Sequence, residues 1–551
     1  MKRRDGLWPL WLVAGLVPAV LLAVLFAWPV TAMLVRGFTD GARIDLSVAA
    51  SVLTDGRTWR IVAQTLGMAL AATAGCVLLG VPGAWALYRV RFRGQTALRM
   101  AATMPFVLPT VVVGMAFRSL GLEGSITAVV LAMMFFNYGL VARTVGTLWR
   151  GLDYRAAEAA ATLGAGPTRV FLTVTLPQLM PAIAAAASLV LLFCSTAFGI
   201  VRTLGTPGVG TLETEIYRQT TAAFDLRAAA VLSCLQLLIV VLTVTASNGL
   251  TRRNHQPLRQ HQPRLRPLTV RTSPAVIVTV AVIAGLIVLP LLGLFRAAFT
   301  VGGKLSVENF AQLATSGTGF GGGVTVLAAL ENSLRIAVDA TVLSLIIGVP
   351  LSLLLSRPNT SRITRLLDAA IMLPLGVSAV TVGFGMVVSI QAAWPKLAIS
   401  GALVPAAQAV IAVPIVVRLL VPALRAIDNR QREAAAVLGA SPLRVLLTVD
   451  GAVLARMVGP AAGFAYALSL GEFGATTFLA RPDAPTLPVV IVRLLGRPGD
   501  FNYGMAMAGA VVLALLTGAI LLLSEQLRPR QLPGARATES LLIQPKKAST
   551  V

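Results

Sequence analysis

Residues 152–174 read LDYRAAEAAATLGAGPTRVFLTV, and residues 427–449 read IDNRQREAAAVLGASPLRVLLTV. From position 153 to position 174, 15 of the 22 residues are identical to those 275 positions later, without a gap. Polar sequence does not agree to this extent by chance, and an internal repeat indicates two copies of one structural unit. The offset is half of the 551 residues, so the sequence predicts two tandem halves.

The sequence around these two stretches is strongly apolar. Hydrophobic residues make up 56% of the chain, charged residues make up 12%, and the mean hydropathy is +0.81. Soluble domains carry about 25% charged residues. The polar side chains are too few to cover a water-soluble globule of this size, so we expect most of the outer surface to face lipid.

A helix needs about 20 apolar residues to cross the hydrocarbon core of a membrane. By this criterion the sequence predicts an all-α membrane protein with twelve transmembrane helices, six in each half. The predicted spans are 8–35, 61–88, 100–120, 125–148, 181–202, 226–247, 274–297, 333–356, 366–389, 401–424, 458–480 and 503–524.

The basic residues indicate how the chain is oriented. The formal net charge is +24. Most Lys and Arg residues lie in the loops between apolar runs, and the predicted spans place most of these basic loops on the same side of the membrane. Basic loops favour the cytoplasmic side, and this distribution does not resemble a nucleic-acid-binding face. We therefore expect an inner-membrane protein in contact with lipid, with both termini in the cytoplasm and no nucleic-acid partner.

The repeat also predicts the domain organisation. Each half places its polar insertion after its fourth span, so both insertions are expected in the cytoplasm. An even number of spans per half gives the halves one orientation, which suits a central pathway between them. The predicted segments are a first repeat (1–247, insertion 152–177), a linker rich in Arg, Pro and Gln (248–272), a second repeat (273–527, insertion 427–452) and a tail (528–551).

Each polar insertion is predicted to fold as a helix, a tight turn and a second helix. In the first insertion, Asp153 stands at a helix N-cap position and is followed by an alanine run that favours helix. Gly164 permits a sharp reversal, and Pro167 suits the first position of a new helix. The equivalent residues of the second insertion are Asp428, Gly439 and Pro442.

The first insertion resembles the EAA loop of permease subunits of binding-protein-dependent ABC importers, through Glu158-Ala159-Ala160, Gly164, Val174, Leu176 and Pro177. The second insertion matches at Glu433-Ala434-Ala435, Gly439 and Val449, and departs at Gly451-Ala452, where the family has Leu-Pro. The fused twelve-span form, with segments 211–217 and 486–488, is similar to the ferric iron and thiamine permease group. Segment 469–474 is also similar to molybdate and sulfate permeases.

The resemblance implies a fold like that of type I ABC importers. It implies two ATP-binding subunits on the cytoplasmic side and a solute-binding protein outside. The substrate that it favours is thiamine or ferric iron, and oxyanions are the next candidates. No phosphate-binding loop motif occurs in this chain, so we expect no bound cofactor and no enzymatic activity, with ATP used by the partner. The implied ATPase-coupling residues are Asp153, Glu158, Ala159, Ala160, Gly164, Asp428, Glu433, Ala434, Ala435 and Gly439.

The predicted translocation pathway centres on a carboxylate in an apolar stretch. A charged group inside a membrane is costly and usually faces protein or water. Glu472 therefore either lines the pathway, where it would contact a cationic solute, or makes a structural hydrogen bond between helices. Its neighbours Phe473 and Gly474 correspond across the repeat to Phe198 and Gly199, and these five residues form the predicted pathway set.

Two other classes of function remain as alternatives. An ion-coupled secondary transporter needs a relay of acidic residues in the membrane, and Glu472 and Asp339 do not form an evident series. A membrane enzyme needs a catalytic constellation, and the spans contain no paired carboxylates, histidines or serine motif. The three cysteines are isolated in apolar runs, which predicts packing roles and no metal site.

Overall fold

The computed structural model describes residues 8–40, 43–205, 208–252, 266–270, 273–318, 323–357 and 362–527. Within these ranges the chain is mainly helical. The helices of the first half are α1 (Trp8–Leu22), α2 (Trp28–Phe38), α3 (Ser47–Thr54), α4 (Gly56–Arg89), α5 (Gln95–Thr103), α6 (Thr110–Arg118), α7 (Ile126–Gly151), α8 (Arg155–Thr162), α9 (Pro167–Val170), α10 (Leu176–Ser195), α11 (Gly199–Leu204), α12 (Leu212–Thr221) and α13 (Leu226–Arg252).

The second half repeats this order of elements with one additional short helix, α20. Its helices are α14 (Ser273–Val282), α15 (Leu289–Ala298), α16 (Glu308–Ala311), α17 (Val326–Ser356), α18 (Arg362–Gly376), α19 (Ala379–Met386), α20 (Pro395–Ile399), α21 (Leu403–Arg425), α22 (Asn429–Val437), α23 (Pro442–Val445), α24 (Gly451–Gly471), α25 (Thr476–Leu479), α26 (Leu487–Leu495) and α27 (Asp500–Gln526). The strands are β1 (Thr39–Asp40), β2 (Arg43–Ile44), β3 (Val90–Arg91), β4 (Arg266–Pro267), β5 (Thr300–Val301) and β6 (Lys304–Leu305).

The all-α membrane architecture predicted from the sequence is confirmed. Among the described residues, ten helices are long and apolar enough to cross a membrane, and a bent helix pair brings the number to as many as eleven. That pair is the predicted third span, where Gln95–Val107 and Thr110–Arg118 meet at 107°. The predicted ninth span is likewise divided, between α18 and α19. Pro105 and Pro109 lie at the first break, and Pro374 lies just before the second.

Irregular helical turns recur at equivalent places in the two halves. A π-helical turn joins α1 to α2, and another joins α14 to α15. A second pair of π-helical turns joins α9 to α10 and α23 to α24. The fifth and eleventh spans are therefore the long helices Pro167–Ser195 and Pro442–Gly471, which begin and end earlier than predicted. Hydropathy misplaced them because their first turns are polar.

The first span of each half packs against the other half. Leu21 and Leu22 contact the cluster formed by Ile347, Leu351 and Leu355 of α17. Correspondingly, Val276 of α14 packs with residues 86 and 90 at the end of α4. The second part of the first span, α2, contacts α13 of its own half and α19 of the other half. Likewise, α15 contacts α27 of its own half and α6 of the other half. Neither half thus buries its own first span alone.

Glycine permits a close contact between the second and fourth spans of each half. A Cβ atom added at Gly80 of α4 would lie 2.8 Å from Val141 Cγ1 of α7. The equivalent atom at Gly348 of α17 would lie 2.7 Å from Val416 Cγ1 of α21. Both separations are shorter than carbon atoms allow, so a larger residue would push the helices apart. Small residues of this kind let membrane helices gain dispersion contacts along their length.

The predicted linker lies only partly within the described residues. Helix α13 continues to Arg252, and β4 pairs in parallel with β3, matching Arg266 to Val90. This pairing holds the end of the linker beside the end of α4, where α14 then begins to pack. Residues 253–265, 271–272 and the predicted tail 528–551 lie outside the described residues.

Candidate coupling loops and the seam between the repeats

The first loop element, residues 152–170, is a helix, a turn and the start of a long helix. The Asp153 Oδ1 atom accepts a hydrogen bond from the Arg155 backbone N–H at 3.0 Å and so satisfies an N–H group at the start of α8, whose N-cap position is Tyr154. Gly164 has φ of +84°, a conformation that L-residues with side chains rarely adopt. The N–H groups of Gly164 and Ala165 donate to the carbonyls of Ala161 and Ala160, each at 3.0 Å. This pair of bonds is a Schellman motif, which ends the helix and reverses the chain.

The second loop element, residues 427–445, has the same backbone. Asp428 caps α22 through the Arg430 N–H at 3.0 Å. Gly439 also has φ of +84°, and Gly439 and Ala440 donate to Ala436 and Ala435 at 3.0 Å. The predicted helix, turn and helix is confirmed in both copies. The long helix continues through Gly451-Ala452 as it does through Leu176-Pro177, so that departure from the family pattern does not end the helix.

The tips of both loop elements are exposed. Leu163 is 88% exposed and its equivalent, Leu438, is 87% exposed. Glu158 and Glu433, at equivalent positions on α8 and α22, also lie on the surface. An apolar tip beside a carboxylate and a smooth alanine face is a surface that favours contact with another protein.

Contacts place both loop elements at the same end of the helix bundle. The first is anchored at Arg89, which ends α4, and the second at Arg357, which follows α17. From the end of α4, where β4 pairs with β3, the chain crosses through α14 and α15 and returns through α17. Two crossings bring the chain back to the end from which it started.

Different side chains anchor the two loop elements to the bundle. In the first element, the Arg89 guanidinium lies 3.9 Å from the centroid of the Tyr154 ring and donates to the Tyr154 hydroxyl. The same hydroxyl donates to the Trp149 carbonyl at 2.8 Å. The Trp149 ring in turn stacks on Phe171 with centroids 6.0 Å apart. The first anchor is therefore an aromatic cluster around one buried arginine.

A buried carboxylate anchors the second loop element. Asp450, which is 0% exposed, accepts from Arg357 Nη2 at 2.9 Å and from Arg432 Nη2 at 2.7 Å. Arg432 also donates to the Asn429 side chain at 2.7 Å and to the Leu424 carbonyl at 3.2 Å. The sequence does not reveal this network, because its members lie up to 93 positions apart and no motif marks them.

The predicted pathway residues meet where the two repeats face each other, which we call the seam. Helix α10 ends at Ser195 and α24 ends at Gly471, so the segments that follow are non-helical breaks at equivalent positions. The rings of Phe198 and Phe473 stack across the seam, with centroids 5.3 Å apart and planes inclined at 18°. Irregular backbone at membrane depth is tolerated where protein or a cavity surrounds it.

The glycines of the predicted pathway bring these breaks close to the half-helices. A Cβ atom at Gly199 would lie 2.2 Å from Thr110 Oγ1, at the start of α6. A Cβ atom at Gly474 would lie 2.9 Å from the Ala379 Cβ atom, at the start of α19. The two N-termini of α6 and α19 are thus held at equivalent positions against the seam.

The Glu472 carboxylate bonds within its own segment. One oxygen accepts from the Ala475 N–H at 2.7 Å, and the other accepts from the Thr476 N–H at 3.0 Å and from the Thr476 hydroxyl. These bonds cap the short helix α25. The geometry therefore agrees with a structural hydrogen-bonding role, although the bonds lie within one segment and do not join two helices.

A second buried carboxylate, which is not among the predicted pathway residues, lies at the seam. Glu213, in the first turn of α12, is 0% exposed. Its Oε2 atom accepts from Ser378 Oγ at 2.6 Å, and Ser378 is the N-cap residue of α19 in the other repeat. Its Oε1 atom has no hydrogen-bond partner among the described residues. One sequence feature could have indicated this residue: Glu213 lies in a segment that is similar between the halves, but the equivalent position in the second half is Pro488 and not an acidic residue.

Comparison with known proteins agrees with this architecture. Residues 76–294 match the family described as binding-protein-dependent transport system inner membrane component. The thiamine transport system permease protein ThiP of Brucella suis is 25% identical, and the match covers 86% of this chain and 88% of that protein. The putative 2-aminoethylphosphonate transport system permease protein PhnU of Salmonella typhimurium is 31% identical over 42% of this chain and 87% of its own length.

One solved structure, that of a bacterial ABC transporter involved in the import of the acidic polysaccharide alginate, matches with a TM-score of 0.39 and 16% identity, over 45% of this chain and 97% of that chain.

The fold and the paired loops define a multi-pass membrane permease with two fused repeats. The chain belongs to the family of binding-protein-dependent transport system inner membrane components, the permease subunits of bacterial ABC importers. This assignment places it in the bacterial inner membrane, with ATPase and solute-binding-protein partners. Since the members of this family are permeases of ABC importers, the chain is neither an ion-coupled secondary transporter nor a membrane enzyme. ATP hydrolysis is carried out by separate subunits.

Proposed function

We propose that this permease imports thiamine and that its two loop elements bind two ATPase subunits in the cytoplasm. The observation that supports docking is the pair of exposed loop elements, which have the same capped helix, the same Schellman turn and equivalent apolar tips at one end of the bundle. Two equivalent surfaces suit two copies of one partner. A cytoplasmic position for both agrees with the predicted cytoplasmic termini.

In this proposal the coupling residues divide their roles. Asp153 and Asp428 fix the starts of α8 and α22, while Gly164 and Gly439 fix the reversals. Glu158 and Glu433 orient the docked subunit through charge. The alanines at 159, 160, 434 and 435 keep the helix faces smooth enough to fit a groove on the partner. ATP stays on the partner, and no cofactor is bound by this chain.

Docking is tested by replacing four residues together: Glu158→Ala, Gly164→Ala, Glu433→Ala and Gly439→Ala. We expect the ATPase to stop co-purifying with the permease and ATP-dependent uptake to be lost. A matched control is Gly303→Ala with Glu308→Ala, because Gly303 also has a positive φ and Glu308 is also an exposed carboxylate on a short helix, but at the other end of the bundle. Coupled uptake that survives the four replacements would contradict the proposal.

The choice of thiamine is supported by ThiP, whose similarity spans both repeats. A second candidate is a 2-aminoethylphosphonate, because PhnU has the higher identity over a shorter region. Uptake into proteoliposomes that contain the permease, its ATPase and its solute-binding protein separates them. We expect ATP-dependent uptake of thiamine that excess 2-aminoethylphosphonate does not reduce. ATP-dependent uptake of 2-aminoethylphosphonate by the same proteoliposomes, with no uptake of thiamine, would favour the second candidate.

A further inference from the structure

We infer that Glu213 is the solute-facing carboxylate of this permease, and that the seam admits an organic cation with a flat aromatic ring. The inference deepens the proposed function and rests on it for the choice of probe. It differs from the prediction made for Glu472, whose two oxygens are both occupied within its own segment.

The bonding of Glu213 is incomplete for a purely structural residue. The side chain is fully buried, yet it accepts one hydrogen bond, from Ser378, and no ion pair to it occurs among the described residues. A buried acceptor without a partner costs about 1–3 kcal/mol. An apolar residue would avoid that cost, so the carboxylate is expected to gain a partner in another state of the transport cycle.

The position of Glu213 shows how that partner is admitted. Glu213 belongs to α12 of the first repeat and Ser378 to α19 of the second, so their hydrogen bond crosses the seam. Separation of the repeats breaks this single bond and leaves the carboxylate facing the opening. Pro488 occupies the equivalent position in the second repeat, so the carboxylate has no counterpart there.

Aromatic rings beside Glu213 define what kind of cation fits. Tyr217 lies one turn further along α12, and its ring centroid is 5.5 Å from that of Phe198 and 5.5 Å from that of Phe478. Each repeat contributes two of these four rings, and the contacts Phe198–Phe473 and Tyr217–Phe478 join the repeats, so both contacts are lost when the seam opens. Exposed ring faces next to a carboxylate attract organic cations, with about 0.5–2 kcal/mol per ring contact.

A cation already occupies one face of this aromatic cluster. The Arg202 guanidinium carbon lies 5.3 Å from the centroid of Tyr217. Arg202 shows that the cluster accepts a delocalised positive charge, and it also opposes a second cation near Tyr217. A bound cationic ring is therefore placed between Phe198 and Phe473, with its charge toward Glu213.

The test uses the complete reconstituted importer and two solutes of the same shape. One is thiamine, and the other is its neutral analogue, in which a thiophene replaces the charged thiazolium ring. Both are supplied on saturated solute-binding protein, so that differences in binding-protein affinity are removed. For Glu213→Gln we expect KM for loaded thiamine to rise about tenfold while KM for the analogue stays the same, as loss of one charge contact predicts.

Ser378→Ala is the matched control, because it removes the hydrogen bond across the seam and keeps the charge. We expect it to change the uptake of both solutes by the same factor. Equal effects of Glu213→Gln on both solutes, or no effect on either, would overturn the inference and leave thiamine import intact. A wild-type complex that fails to transport thiamine and carries an anionic solute would overturn the proposed substrate and the cation site together.

Discussion

The two loop elements have the same backbone but are held by different chemistry. In both, a side chain of the loop element donates a hydrogen bond to a backbone carbonyl near the end of the preceding span. Tyr154 donates to Trp149, and Arg432 donates to Leu424. The first uses an aromatic ring over an arginine, and the second uses a carboxylate shared by two arginines. The conformation of the turn is therefore the same in the two copies, whereas the side chains that attach it to the helix bundle differ.

The largest effect is expected at the carboxylate anchor. Asp450→Ala leaves Arg357 and Arg432 without their shared partner in a largely buried site, which we expect to destabilise the permease by about 3 kcal/mol. The equivalent change in the first half, Thr175→Ala, is expected to cost less than about 1 kcal/mol. Thermal unfolding of the detergent-solubilised permease measures both. Equal shifts in the melting temperature would remove the distinction between the anchors.

A smaller effect is expected at the aromatic anchor. Tyr154→Ala removes the ring from the Arg89 guanidinium and the hydroxyl from the Trp149 carbonyl, for a loss of about 2 kcal/mol. Tyr154→Phe keeps the ring and is expected to lose about half as much. The same unfolding assay, together with ATPase co-purification, tests this order. If Tyr154→Phe proves as damaging as Tyr154→Ala, the hydroxyl and not the ring holds the element.

The smallest effect is expected at the turn glycines, and it should be the same in both halves. Gly164→Ala and Gly439→Ala each force a side chain into φ of +84° with no atom within 4 Å of the new Cβ. The cost is then backbone strain alone, about 1 kcal/mol. Separate measurement of the two variants checks this equality. A clear difference would mean that the anchors reach into the turns.

Much of the local structure was predictable from the sequence. Periodic apolar runs predicted the helices, and the repeated stretch predicted capped helices and sharp reversals at Gly164 and Gly439, because these features depend on neighbouring residues. Spans 5 and 11 were misplaced, since a helix that starts with polar turns at Pro167 or Pro442 shows no apolar signal there.

Contacts between distant segments were not predictable. Asp450 meets Arg357, and Glu213 meets Ser378, across 93 and 165 positions. No local pattern encodes such pairs, because they depend on how the two repeats face each other. The same holds for Glu472, whose cap on α25 requires a helix break that hydropathy does not show.

The reciprocal packing of the first spans has a consequence for synthesis of the protein. The first span reaches the membrane some 300 residues before α17, against which Leu21 and Leu22 pack. At a translation rate of about 5–20 residues per second, it waits on the order of tens of seconds beside lipid or insertion machinery. Final docking of that helix must therefore follow the synthesis and insertion of α17.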